Sequence, residues 1–393
     1  TGTEWKSLTQ HINVFGSSDF SYNSTEKTKL TASDAAANDQ FGRAVAIYGG
    51  YAVVGAYLDD DTETNSGSAY IYIKSGDEWV EQAKLNASDP AIDDYFGRSV
   101  AISENYAVVG AYLDDETAAN SGSVYIFERT GSTWTEQDKI TASDPEAADF
   151  FGRSVSISGD YIIVGSYRDD DDGDQSGSAY IFKRSGTVWN EEAKITASDA
   201  AAGDEFGFGV SINGDYAIVG ANLDDDNGSD SGSAYVFLRS GTTWSEQAKL
   251  TASDGAADDF YGRSVSIFDN YAVVGAFQDD DAGGSSGSAY VYVRSGTTWT
   301  EQTKLTASDA GGFDNFGFSV SISGEYIAVG AYANDDTANN SGSAYVFKRS
   351  GTSWSQEAKL TATDPDVNDN FGRMVSISGG HIIIGAYRND DDG

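Results

Sequence analysis

One feature constrains this chain above all others. A 55-residue pattern recurs along the 393 residues without losing register. Phe41-Gly42 returns as Phe96-Gly97, Phe151-Gly152, Phe206-Gly207, Tyr261-Gly262, Phe316-Gly317 and Phe371-Gly372. Gly55, Gly110, Gly165, Gly220, Gly275, Gly330 and Gly385 keep the same step, and so do Trp79, Trp134, Trp189, Trp244, Trp299 and Trp354. A strict period of this length means that one supersecondary unit is copied and stacked.

Four strands fit within each unit. In the first copy they run from Gly42 to Ile47, Tyr51 to Tyr57, Ser68 to Ile73 and Trp79 to Leu85. The second is an almost unbroken apolar run, YAVVGAY, and the third is rich in β-branched and aromatic residues. Gly, Asp, Asn and Ser fill the links, where turns need them. No segment holds a sustained helical period. The reading is an all-β fold, a seven-bladed β-propeller of four-stranded antiparallel blades. Closing the array into a ring protects the sheet edges that an open stack would expose. The competing linear solenoid normally uses shorter coils.

The ends of the chain support a split blade. The last unit stops after its second strand, near Tyr387. At the other end, Lys29-Leu30-Thr31-Ala32-Ser33-Asp34 matches Lys84-Leu85-Asn86-Ala87-Ser88-Asp89, which makes Leu30 the end of a fourth strand. Residues 11–30 are therefore expected to complete the blade begun by residues 371–387, either in the same molecule or in a neighbour. Residues 11–393 then form one domain, with residues 1–10 as an N-terminal arm.

The Phe-Gly opening, together with the later Val54-Gly55-Ala56, resembles the FG-GAP repeats of integrin α-chain propellers and related bacterial extracellular proteins. The likeness runs from about Leu30 to the end of the chain. It implies a propeller used outside the cell or at its surface for adhesion, ligand binding or display. Two departures mark a divergent subgroup. The family's calcium loop between the two signatures has no room here, because the link is as short as Tyr48-Gly49-Gly50 or Ser158-Gly159-Asp160. The proline of the GAP signature is replaced by Tyr57, Tyr112 or Phe277.

Acidic residues number 62 against 24 basic ones, for a net charge of −38. That balance opposes binding to nucleic acid or to an anionic membrane surface, both of which need a basic patch. No apolar run is long enough for a membrane-spanning helix, so membrane insertion is not expected. With 39% hydrophobic residues the chain can still build packed cores despite its charge.

More than half of the 62 acidic residues sit in two loops of each unit. The loop before each Phe-Gly carries Asp34, Asp89, Asp144, Asp199, Asp254, Asp309 and Asp364, followed by Asp39, Asp94, Asp149, Asp204, Asp259, Asp314 and Asp369. The loop between strands two and three carries Asp60, Asp115, Asp170, Asp225, Asp280, Asp335 and Asp390 at its centre, with acidic neighbours in most copies. Up-and-down strand order puts both loops on one face. Carboxylates crowded together need a cation, a hydrogen-bond donor or water. Calcium, with its preference for six to eight oxygens, is the expected ion at these aspartates. The alternative is that they cap turns and stay solvated. Arg43, Arg98, Arg153, Arg263 and Arg373, beside the Phe-Gly pairs, are then candidates to neutralise some of them.

No catalytic constellation emerges. The sequence has no cysteine and only two histidines, His11 and His381, expected at opposite ends of neighbouring strands. His381 takes the place held by Tyr51, Tyr106 and Tyr161 in other units. The tryptophans fit blade packing better than a sugar platform. The expected role is a non-enzymatic extracellular structural or adhesive propeller, binding calcium and self-associating head-to-tail into a filament or surface layer. The second reading is a carbohydrate- or protein-binding adhesion module. A hydrolase or lyase is the third and weakest.

Overall fold

The structure, a computed structural model, describes the backbone of residues 11–16 and all of residues 28–388. The proposed arm at 1–10, the middle of the 11–30 segment and Asp390 lie outside the described residues. The chain is a β-propeller. In the first blade the strands are Phe41–Tyr48, Tyr51–Ala56, Ser68–Ser75 and Glu78–Leu85, within two residues of the sequence reading. Each pairs antiparallel with the next in chain order. Five more blades repeat this plan. A seventh sheet contains Val375–Ser378 and His381–Ala386, with His11–Gly16 and Thr28–Leu30 hydrogen-bonded alongside. No described helix is long and apolar enough to cross a membrane.

Burial follows strand position. First strands line the axis. Second and third strands are covered on both sides by neighbouring blades, so their side chains are apolar without alternation: Ala52, Val53, Val54, Ala69, Tyr70 and Ile71 are all fully buried. Fourth strands form the outer wall and bury mainly their ends, Trp79 and Leu85 in the first blade. The cores lie between blades. Val53 and Ile71 of the first pack with Phe96, Val109 and Tyr125 of the second.

The two repeated glycines meet each other. A Cβ on Gly55 would stand 1.9 Å from the carbonyl oxygen of Gly97 in the next blade. The same approach recurs six times more around the ring, down to 1.8 Å for Gly220 against Gly262, and includes Gly385 of the last blade against Gly42 of the first. Gly42 also has φ +87°, a conformation that side chains disfavour. One residue type thus meets two separate demands of the backbone.

A bulge in the outer strand of each of the first six blades ties blades together. Pairing skips Gln82, between Glu81 and Ala83. The displaced amide turns to the next blade, where Gln82 Oε1 accepts the Trp134 indole N–H at 2.9 Å. Bulges re-aim side chains in this way. The face of Trp134 is met edge-on by Tyr51, with ring centroids 6.1 Å apart. Trp79 is met by His381 in the same geometry, also at 6.1 Å, so the histidine fills a tyrosine's structural seat.

Gly220→Ala is expected to lower stability by about 1–3 kcal/mol, the cost of overpacking a filled site. Gly50→Ala, whose new atom would meet only Lys74 Cβ at 3.9 Å, should stay within about 0.5 kcal/mol of the parent. Urea midpoints measure both, and equal shifts would contradict the close-approach account.

Candidate functional site

In the six blades whose loops are described the two acidic loops do meet on one face, and each aspartate position has its own task. In the first blade the Tyr70 hydroxyl lies 2.8 Å from Asp34 Oδ1 and 2.8 Å from Asp59 Oδ2. Lys84 Nζ lies 2.8 Å from Asp34 Oδ2 and 3.1 Å from Asp59 Oδ2, and it also binds Asp61. Among the described residues this is the one set of three carboxylates close enough to share an ion, with ligand atoms within 4.8 Å of one another. The set pairs Asp34 with Asp59 and Asp61, the flanking residues of the second loop, and not with Asp39 or Asp60.

Related lysine-centred clusters form around Lys139, Lys194, Lys249 and Lys304. In the sixth blade Asn334 replaces the buried aspartate beside Lys359. Burial raises the Asp34 carboxyl, but hydrogen bonds from Lys84 and Tyr70 outweigh it and hold the group below its ordinary range. Burial lowers Lys84, and its three carboxylates more than reverse that, so it stays an ammonium.

The remaining aspartates close loops. Asp39 Oδ2 accepts the Ala36 N–H at 2.7 Å, and the same bond forms at Asp94, Asp149, Asp204, Asp259, Asp314 and Asp369. Asp60 Oδ1 accepts the Asn65 N–H at 2.7 Å, repeated by Asp115, Asp225 and Asp335. The other members, Asp170 and Asp280, receive backbone turns at their carbonyls instead. Calcium draws on several free oxygens at once. Here the centre of the carboxylate set already holds an ammonium, so the cluster as built does not fit the metal.

The arginines beside the Phe-Gly pairs take a different course from the one the sequence suggested. In the first blade strand pairing skips from Phe41 to Ala44, leaving Gly42 and Arg43 outside the ladder. Arg43 is thereby turned to the axis, away from the aspartates. Arg43, Arg98, Arg153 and Arg263 line an axial cavity of about 180 Å³, which no carboxylate lines. The corresponding positions in the fourth and sixth blades hold Phe208 and Phe318. Arg153 and Arg263 both stack on Phe208, each 4.7 Å from its centroid. Arg263 and Arg373 both stack on Phe318, at 4.4 and 4.6 Å. Arg373 and Arg43 share Tyr387. Cations and rings thus alternate around part of the axis, as cation–π attraction favours.

Burial first, and then repulsion from Arg153, lowers Arg98 and Arg263 to about 9. Burial, again the largest cause, also lowers Arg153 and holds Arg43 well below its ordinary range, and none of the four cavity arginines has a carboxylate ion-pair partner among the described residues. Glu205 is an opposite charge that acts on Arg153 and Arg263, and burial raises its carboxyl against the pull of Arg168, Arg153 and Arg263. An aromatic arc from the first three blades lies beside Arg98 and Arg153. Tyr57, Tyr95, Tyr112, Phe150 and Tyr167 touch in sequence at 5.3–6.0 Å. Beside Arg373 a second cavity of about 370 Å³ is lined by Asn315, Asn340, Asn368, Asn370 and Tyr332. Sequence reasoning missed Phe208 and Phe318. The available signal was their register, two residues after the repeated aromatic.

Burial pushes Asp39 up to about 7, and Asp94, Asp149, Asp204 and Asp259 up to about 6, from an ordinary value of 3.8. Between about pH 4 and 7 the folded protein therefore binds more protons than the unfolded chain, and stability falls as pH rises through that window. The Asp34 group has the opposite sign and loses its contribution as pH falls below the ordinary carboxylate range. Thermal stability should peak near about pH 4–5 in calorimetry. Asp94→Asn with Asp149→Asn should flatten the fall toward pH 7, and an unchanged slope would remove these groups from the account. Added calcium or EDTA should leave the parent Tm in place. Lys84→Met, which frees three carboxylates, should make Tm rise with calcium.

The comparisons with known proteins agree with this architecture. The FG-GAP repeat family model matches residues 24–72, 79–127, 134–182, 189–237, 244–292, 299–347 and 354–393. Each complete match spans one blade's fourth strand and the first three of the next. No curated protein matches the sequence. Among solved structures, the chain is similar to a Bacteroides fragilis protein assigned as a 6-phosphogluconolactonase, with TM-score 0.54 and 11% identity over 91% of this chain and 96% of that one. At that identity the likeness carries the ring and nothing of the chemistry. With seven matched repeats over most of its length, the chain belongs to the FG-GAP repeat family.

Proposed function

We propose that this protein is a non-enzymatic recognition propeller of the adhesive kind, acting outside the cell or at its surface, and that it binds its partner at the axial mouth. The observation that carries the reading is the arginine and aromatic ring at the axis. Elsewhere the repeat positions are used for structure, and the lysine clusters consume the acidic loops. At the mouth the copies diverge. Gln40, Tyr95, Phe150, Glu205, Phe260, Asn315 and Asn370 occupy one repeated position, so the entrance is chemically uneven. Recognition of a unique partner needs that unevenness. His381 lies at the far end of its blade, edge-on to Trp79 and 2.9 Å from Lys74 Nζ, which favours a structural role over proton transfer at the mouth.

Closure by the N-terminal strands belongs to the same proposal. His11–Gly16 pairs with His381–Ala386, and Thr28–Leu30 pairs with His11–Gly16. Lys29 binds Asp364 as Lys84 binds Asp34. A ring latched without a covalent bond gives a rigid platform for adhesion. Head-to-tail assembly draws less support. Basic side chains at the opposite end are already engaged, with Arg184 bound to Asp160, Arg239 to Asp215, and Arg129 stacked 4.5 Å over Tyr51.

A glycan and matrix-protein array tests the reading. Parent protein should give discrete hits that Arg98→Gln with Arg153→Gln removes, while circular dichroism stays unchanged. Hits that survive this change would place binding elsewhere. Deleting residues 1–30 should lower Tm by more than 10 °C, and an unchanged Tm would refute the latch.

A further inference from the structure

The chemistry of the mouth names a ligand class, and this step rests on the recognition reading above. Three observations converge at Arg373. It stacks 4.6 Å over Phe318, within the axial ring of cations. It also lines the neighbouring cavity of about 370 Å³ together with Arg388. That cavity is otherwise furnished with amides and rings: Asn315, Asn340, Asn368, Asn370, Tyr332 and Phe313. Phe313 is 72% exposed, an unusual state for a large aromatic side chain. Asn340 Nδ2 reaches Asn368 Oδ1 at 3.0 Å, which keeps the two amides side by side at the cavity wall.

These features divide the work of binding. The axial cavity offers guanidinium groups held by rings and no lining carboxylate, in a protein whose net charge is −38. Guanidinium forks match the oxygens of carboxylate, sulfate and phosphate. Repulsion among the arginines would be relieved by one such anion. The side cavity offers planar amides and an exposed ring face, which suit hydroxyl groups and the apolar face of a pyranose. The volume there suits a molecule of a few sugar carbons and not a long peptide.

We infer that the mouth binds an anionic sugar residue, with its acidic group at the axial arginines and its hydroxyls in the asparagine cavity between the sixth and seventh blades. The acidic group can be a uronate carboxylate or a sulfate or phosphate ester, since the three share the same oxyanion recognition. The ligand is a terminal or branch residue of a glycan, because the side cavity of about 370 Å³ has no room for a long chain.

Titration calorimetry on the full chain, at fixed ionic strength in chloride, reads this directly. The probes are glucuronate, glucose 6-sulfate, glucose 6-phosphate, glucose, acetate and inorganic phosphate. At least one acidic sugar should bind about tenfold or more tighter than glucose and tighter than acetate or phosphate, as expected for added charge-assisted hydrogen bonds. The best of the three identifies the oxyanion source. Arg98→Gln with Arg373→Gln should remove the preference for the acidic sugar over glucose. Asn340→Ala with Asn368→Ala should instead weaken the acidic sugar toward the level of the bare anion, while leaving phosphate binding in place. Binding of inorganic phosphate equal to that of every acidic sugar would overturn the sugar assignment. Absence of any anion-dependent binding would overturn the inference whole. If the array hits of the parent still depend on Arg98 and Arg153 in that case, the recognition reading stands with a neutral or protein partner. If they do not, both fall.

Discussion

The fold depends on how near one blade's backbone can come to the next. At Gly55 and Gly97, and at each equivalent pair around the ring, a carbonyl oxygen stands where a side chain would begin. That contact sets the blade spacing. It allows second and third strands to be buried from both sides, so their apolar runs need not alternate. It also brings the bulged Gln82 within reach of Trp134. The outer wall is therefore tied to a geometry fixed near the axis, and an added methyl group at one glycine would be felt across both.

Charge is organised as tightly as packing. A chain with net charge −38 would repel itself as a compact ring unless its carboxylates were used. In each of the first six blades one lysine and one tyrosine hold the aspartates of two loops together. Each cluster joins the loop that enters a blade to the loop that crosses its top. Glu81 adds a second tie, accepting both the N–H and the hydroxyl of Ser33. The acidic face is thus a set of internal staples, many of them charge-assisted. Positive charge is concentrated separately, at the axis, where the rings of Phe208 and Phe318 stand between guanidinium groups that would otherwise face one another. The molecule presents an acidic rim around a cationic centre.

How far the sequence can be read varies by position. Strand limits were legible to within two residues because turns and apolar runs repeat seven times. The packing role of the tryptophans was legible for the same reason, and the seat of His381 followed from its register with Tyr51. Asp34 was singled out as a cation ligand, but its partners Lys84 and Tyr70 were not. Asp60 is present in every copy and looked central, yet Asp59 is the buried member, because only its side chain points down toward Tyr70. The lysines were overlooked because Lys84 follows a largely polar stretch of outer strand and reads as an ordinary surface residue. The arginines were noticed and sent to the wrong charge. A break in strand pairing beside Gly42 turns Arg43 inward, and no residue code announces that direction.

By itself the sequence determined the unit, its number of copies and their register, because period and residue type act locally on backbone geometry. It also fixed the positions where only glycine fits. The tertiary structure alone decided which charges meet. Asp34 finds Lys84 fifty residues away, and the arginines of separate blades gather at one axis only when the array curves into a ring. Electrostatic partnership depends on distance in space, and that distance exists only once the blades have closed around a centre.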